Sequence, residues 1–439
     1  MNLPKIKSVR VKVLPNDLDP TAVFNNYADR SYNALLTGSA QKDNSRYSFI
    51  GINPLLIWDS KDDPFEELQR LLNHFSVKKY KYPVNLWGGI GYISYEAAHH
   101  IEKLPKTTKD PLNMPVMQVV FYKDMIVFDH HENKNYLIQI QTSDQDFTEL
   151  HITNNKEQRN FKTRRPALCC SSEKYIKQIK IIKKYIKDGD VYEVNLSHQC
   201  HIPFEGDPYS IFQKLYNINS APFSAYLSFA EHKIISNSPE RFILAEGNKL
   251  ETRPMKGTAP RGKNPNEDKK NKKELSESVK DDAELSMIVD LMRNDFGKVC
   301  EYGSVKVREH KRIEPYQNVW QMISIVEGKL RPEENYGSLL RACFPGGSIT
   351  GCPKIRSMEI IDELEDYSRN LYTGTIFIAN DQRFDSNIVI RSIIAHKDML
   401  NFNIGGAIVY DSDPQKEYEE TMHKAKSIME ALDLTKPTY

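Results

Sequence analysis

The sequence predicts a mixed α/β protein in which short strands dominate and amphipathic helices separate them. Three observations carry this expectation. Residues from Lys7 to about Ile140 read mostly as strands: residues 9–13 alternate apolar and charged side chains, and residues 116–128 followed by 134–141 have the form of a hairpin. Helical periodicity is confined to short stretches such as residues 64–75. A second strand-rich region, over residues 191–201, 223–229 and 233–237, follows a helix expected over 173–187.

In chain order, residues 45–51 read as a strand and residues 64–75 as a helix with one apolar face. Gly88-Gly89-Ile90-Gly91 is glycine-rich but lacks the GxGxxG spacing of a dinucleotide loop. Residues 142–172 are polar and read as a segment connecting an N-terminal part, 1–141, to a larger part, 173–439. Ser171 or Ser172 caps the helix over 173–187, which stops at Asp188-Gly189-Asp190. Residues 263–273 read as a mobile polar loop that passes into one helix over 273–294. Residues 388–392 read as an apolar strand interrupted by Arg391, and Asp413-Pro414 opens a terminal helix.

Charge excludes some functions. Of 439 residues, 60 are Lys or Arg and 59 Asp or Glu, a balance that suggests neither nucleic acid nor an anionic membrane as partner. The six cysteines show no CxxC pair, so reduced thiols are expected. No apolar run is long enough to span a bilayer and no signal-peptide core is visible, which predicts a soluble cytoplasmic protein.

Chemistry concentrates around Glu251-Thr-Arg-Pro-Met-Lys256-Gly257-Thr258-Ala-Pro-Arg261. Flanked by Arg253 and Arg261, Lys256 reads either as a neutral nucleophile, its proton disfavoured by like charge, or as a surface lysine in a charged turn. On the following helix Glu284 shares a stripe with Ile288 and Leu291, and such a carboxylate needs a cation, a metal or an arginine such as Arg293. Glu417 and Glu420, three apart on the terminal helix, can serve one cation, and magnesium suits carboxylate oxygens. Phe344-Pro-Gly346-Gly347-Ser348-Ile-Thr350-Gly351-Cys352-Pro353-Lys354 offers backbone N–H groups to an anion, but Cys352 stands where a phosphate loop needs lysine. Arg391 can grip a carboxylate with two parallel hydrogen bonds.

In combination the chain resembles the chorismate-utilising enzymes. The likeness rests on Ser238-Pro-Glu240-Arg-Phe242, Thr252-Arg-Pro-Met-Lys256-Gly-Thr258, Ile288-Val-Asp-Leu-Met-Arg-Asn-Asp295, Pro345-Gly-Gly-Ser-Ile-Thr-Gly351 and Gly405-Gly-Ala-Ile-Val-Tyr-Asp-Ser-Asp413, in the family's order from about Tyr175 onward. It implies an α+β type of fold, with two large, mostly antiparallel sheets packed together, helices outside, and the active site in the cleft between them. Lysine at position 256, where relatives forming anthranilate or isochorismate usually carry alanine, implies amination of chorismate at C4. The resemblance makes Lys256 the nucleophile and Glu240 the general acid/base. It gives magnesium to Glu284, Glu417 and Glu420, and the substrate to Gly257, Thr258, Thr350, Tyr372, Arg391, Gly405, Gly406 and Ala407. Ammonia would come from a separate glutamine amidotransferase subunit.

Three positions depart from the family pattern. Glu193 stands where Gln is common, Cys352 where Ala is common, and Gln321 where anthranilate-forming relatives carry a histidine. The tryptophan-binding signature near the N-terminus is incomplete, reading Leu35-Leu36-Thr37-Gly38-Ser39, so tryptophan feedback is not expected.

Overall fold

The computed structural model describes residues 3–38, 45–142, 146–164 and 169–434. Its sheet grows from the strand Met117–Asp129, whose nearly unbroken apolar sequence is buried along almost its whole length. That strand pairs antiparallel with Tyr47–Asp59 on one edge. Its other edge is shared by Gly89–Ile93 and the hairpin partner Lys134–Thr142. Gly91 lies between strands where a Cβ would stand 2.4 Å from the Gln118 carbonyl, so this glycine serves close strand packing.

Two antiparallel arms leave this centre. The first runs from Tyr47–Asp59 through Ala34–Thr37, Phe223–Phe229, His232–Ser238, Ser392–His396 and Met399–Ile408 to Glu193–Gly206. The second runs from Gly89–Ile93 through Thr375–Ala379, Arg383–Asn387, Arg241–Glu246 and Lys249–Thr252 to Val319–Lys329, which also pairs with Met255–Pro260 and Lys306–Pro315. The expected mixed fold of antiparallel sheet and helices is therefore present. Each arm has its own apolar packing. Phe65, Leu68 and Leu340 from two helices cover the second arm, and Tyr209, Phe212 and Ile428 cover the first.

The chain crosses between the arms twice, side by side. It leaves the first arm at Ser238 and enters the second at Arg241, so Glu240 sits at the crossing. It returns between Asn387 and Ser392 through Arg391. The crossings are tied together: the Ile388 amide donates to the Glu240 carbonyl, the Ser238 hydroxyl to the Ile388 carbonyl, and the Asn237 amide to the Arg391 carbonyl.

Local signals place the helices. Ser171 accepts from the Lys174 amide at the start of Ser172–Asp188, and Gly189, at φ 85°, ends it. Asp413 accepts from the Lys416 amide ahead of Pro414–Ala431. The connecting segment lies against both parts, with the Asn155 amide on the Ala22 carbonyl and Arg159 bonded to Asp29 and Asp207. No helix among the described residues is long and apolar enough to cross a membrane.

Four expectations change. Most of the expected loop over 263–273 is helix, Pro265–Ser276, because the Asn264 side chain caps it and Pro265 fits its first turn. The single helix expected over 273–294 is two, since Ser278 leaves helical geometry and caps Val279–Gly297. The strand expected over 388–392 begins only at Ser392, because Arg391 has φ 53°. The cysteines are not all reduced: Cys169 and Cys200, 31 residues apart in sequence, are joined by a disulfide that fastens the connecting segment to the first arm.

Candidate active site

Lys256 reaches the crossing from the second arm, on Met255–Pro260. Gly257 has φ 77°, which turns the strand just after the lysine, and a Cβ there would stand 2.9 Å from Cβ of Asp281. Gln321 braces the turn from the neighbouring strand: its Nε2 donates to the Gly257 carbonyl at 2.9 Å, and its Oε1 accepts from the Thr258 hydroxyl at 2.9 Å. The amine is thereby fixed at its backbone, and Nζ lies 3.0 Å from Oε1 of Glu193, on the first arm.

The flanking arginines do not hold Lys256 neutral. Arg253 Nε donates to Glu251 and Arg261 grips Asp268 with two parallel bonds, so both charges are matched elsewhere. Lys256 instead faces acids. Burial pulls its amine down, but Glu193 and Glu284, with a smaller contribution from Glu240, outweigh it and leave it above the ordinary lysine value. The residue is an ammonium at rest.

Glu240 is 4% exposed, and burial pushes its carboxyl up to about 7, against the opposing pull of Ser348 and Lys256. Ser348, from the loop over 344–354, donates to its Oε1 at 2.9 Å. A carboxyl poised near neutrality can both give and take a proton. On the adjacent crossing, the Arg391 guanidinium has no hydrogen bond or ion pair with protein among the described residues. Burial lowers its proton affinity, with Tyr316 and Glu240 opposing. A half-buried guanidinium with no partner is a receptor for an anion. Tyr372 is buried as a residue, with its ring against Arg369, and its hydroxyl makes no hydrogen bond to protein among the described residues.

Not every predicted residue meets the pocket through its side chain. Thr350 is fully buried and its hydroxyl donates to the Gly346 carbonyl, closing its own loop. Thr258 is engaged with Gln321. Gly405, Gly406 and Ala407 lie on Met399–Ile408, opposite Ser197, Leu196 and Asn195, and beyond Asn401 that strand is paired on one side only. Space beside Gly406 opens toward Lys424 Nζ and Glu417 Oε2.

Two of the three predicted metal ligands carry lysines. Glu284 pairs with Lys280 at 3.7 Å, while the expected partner Arg293 binds Asp290. Glu420 pairs with Lys424 at 2.9 Å, and buried Glu417 accepts from the Ser412 hydroxyl. No three His, Cys, Asp or Glu side chains among the described residues form a ready metal cage. The acids still fit a cation: Lys280 acts on Glu284, Glu417 and Glu420 alike, so the three share one electrostatic neighbourhood. Burial raises the Glu417 carboxyl and Glu420 raises it further, the signature of carboxylates short of positive charge.

Sequence reasoning marked Glu193 and Gln321 only as departures, and it gave Ser348 no partner. None of the predicted site residues lines the separate cavity of about 300 Å³ between Thr37, Phe223, Arg241, Glu251 and Arg383.

Residues 32–430 match the family described as chorismate binding enzyme. The chain is 37% identical to aminodeoxychorismate synthase component 1 of Escherichia coli (strain K12), over 85% of this chain and 83% of that one. It is 34% identical to an anthranilate synthase component 1 of Haloarcula marismortui, over 79% and 76%. Among solved structures, anthranilate synthase component I from Streptococcus pneumoniae TIGR4 superposes with a TM-score of 0.75 at 26% identity, covering 88% of this chain and 93% of that one. The menaquinone-specific isochorismate synthase of Escherichia coli, with a TM-score of 0.77 at 15% identity over 98% and 96% of the two chains, shares the fold.

Proposed function

The chain belongs to the chorismate-binding enzyme family, and on that premise we propose that it aminates chorismate at C4 to give 4-amino-4-deoxychorismate. The observation that carries this reading is Lys256, an amine fixed inside the junction of the arms and facing Glu193 on the first arm, Glu240 at the crossing and Glu284 on the helix Val279–Gly297. Relatives named aminodeoxychorismate synthase component 1, at 35–37% identity, support the same reading.

The reaction divides into two displacements. Lys256 Nζ, once free of its extra proton, bonds to C2; the ring diene shifts and the C4–O bond breaks. Glu240 gives its proton to the departing oxygen, which leaves as water. Ammonia then bonds to C4, the diene shifts back, the C2–N bond breaks, and Glu240 takes a proton from the new ammonium. Splitting one difficult substitution into two easier ones is the gain from a covalent nucleophile.

Chorismate is a dianion, and two cationic regions suit it. Arg391, Tyr372 and the backbone near Gly405, Gly406 and Ala407 receive one carboxylate. Magnesium held by Glu284, Glu417 and Glu420 would supply positive charge to the other. Ammonia comes from a separate glutamine amidotransferase subunit, and the product feeds 4-aminobenzoate and folate synthesis in the cytoplasm.

Purified protein given chorismate, magnesium and ammonium salt at alkaline pH should form a product with the mass of chorismate whose hydroxyl is replaced by an amino group. Anthranilate with pyruvate, or isochorismate, would overturn the proposal.

A further inference from the structure

Resting on the reading of Lys256 as nucleophile, we infer that Glu193 is the proton acceptor of Lys256, taking the ammonium hydrogen that must leave before Nζ can form a bond. The pair spans the two arms. Glu193 opens Glu193–Gly206, its backbone pinned by the Ser357 hydroxyl, which donates to its carbonyl at 3.0 Å, and by pairing with Cys352. Its side chain is fully buried, and among the described residues it is the carboxylate within 4.0 Å of Nζ.

One oxygen of Glu193 receives the Lys256 hydrogen bond, while Oε2 is buried with no partner among the described residues. Oε2 therefore keeps its acceptor capacity free inside the site, on the same carboxylate that already takes the Lys256 hydrogen bond. A glutamine at this position could accept the hydrogen bond but could not accept the proton. The other acids facing Nζ, Glu284, Glu240 and Glu420, act on it from beyond ion-pair distance, and Arg253 and Arg261 are occupied by Glu251 and Asp268.

The protons balance around the cycle. Lys256 gives one proton to Glu193 and attacks C2 as the neutral amine. When ammonia displaces it from C4's far partner carbon, C2, the amine leaves neutral, and Glu193 returns the stored proton. Glu240 separately protonates the departing hydroxyl and recovers a proton from the new C4 ammonium. The net change is chorismate plus ammonia to the amino product plus water.

Glu193→Gln tests this. The turnover number should fall about 10²-fold, as for loss of a general base, with the KM for chorismate unchanged. Glu193→Asp, which keeps a carboxylate, should recover part of the rate. In parallel, carbamoylation of Lys256 by cyanate, which consumes only neutral amine, should reach its half-point at lower pH in Glu193→Gln. A slower enzyme carrying a freer amine is a result that a merely structural Glu193 cannot give. An unchanged or faster Glu193→Gln enzyme, or a raised KM with turnover kept, overturns the inference. Should the unaltered protein form no aminated product, the functional reading fails, and the cyanate half-point alone decides the pair: a shift supports it and no shift overturns it. Thermal melting of both variants separates these outcomes from misfolding.

Discussion

Ser348 Oγ donates to Oε1 of Glu240 across 2.9 Å, linking the loop over 344–354 to the crossing between the arms. Burial drives the Glu240 carboxyl up to about 7, and the Ser348 bond acts the other way because it favours the carboxylate. Ser348→Ala removes the opposing influence, so the carboxyl should titrate at higher pH. Because Glu240 must begin protonated to release the hydroxyl as water, turnover declines as it ionises. The alkaline limb of the turnover–pH profile should therefore move upward in Ser348→Ala. A limb that stays in place or moves down would remove Glu240 as the acid.

The same burial makes Glu240 a cost to stability at alkaline pH. Its folded value, about 7, lies above the ordinary 4.5, so the protonated form is the one the fold favours. Its contribution is fully present below pH 4.5 and is lost as pH rises through about 7. Full loss of a shift that size amounts to roughly 3 kcal/mol. Glu240→Gln, which cannot ionise, should stabilise the protein at pH 8 by up to that amount and change little near pH 4.5. Its turnover should fall about 10²–10⁴-fold. Urea unfolding at the two pH values checks the first expectation, and an equal effect at both would contradict it.

Much of the scaffold was legible because its signals are local. The Ser171 cap, the Gly189 stop and the Asp413-Pro414 start each act within one helical turn. The hairpin Met117–Asp129 with Lys134–Thr142 is set by two apolar runs and a short connection. What failed was long-range. Arg253 lies in the link between Lys249–Thr252 and Met255–Pro260, and its charge goes to Glu251. The acid that does face Lys256 lies 63 residues earlier, on another arm. No periodicity announces such a pair. Arg391 was recognisable as an inward cation, but its left-handed backbone was hidden inside an apolar run that imitates a strand.

Arg391 should separate binding from backbone conformation. Removing the guanidinium loses two charge-assisted hydrogen bonds to a substrate carboxylate, each worth about 1.5–3 kcal/mol. Both Arg391→Ala and Arg391→Gly should therefore raise the KM for chorismate at least about tenfold. Their stabilities should differ, because φ is 53° and only glycine adopts that region without steric cost. Arg391→Gly should be the more stable by about 1 kcal/mol. Equal stabilities would contradict the backbone argument, and an unchanged KM would contradict the carboxylate role.

The acid cluster predicts a metal-linked change in stability that needs no turnover. A ligand that binds only the folded protein raises its stability in proportion to the logarithm of ligand concentration over Kd, about 2.7 kcal/mol at 100 times Kd. Magnesium should therefore raise the melting temperature of the unaltered protein, and a chelator should reverse the rise. Glu284→Gln and Glu417→Gln each remove one carboxylate charge from the neighbourhood shared with Glu420 and Lys280. Each variant should blunt the magnesium-induced rise. Neither need destabilise the metal-free protein, because both carboxyls are raised by burial and the amide relieves that cost. Should magnesium leave the melting temperature of the unaltered protein unmoved, these glutamates do not hold it in the free enzyme.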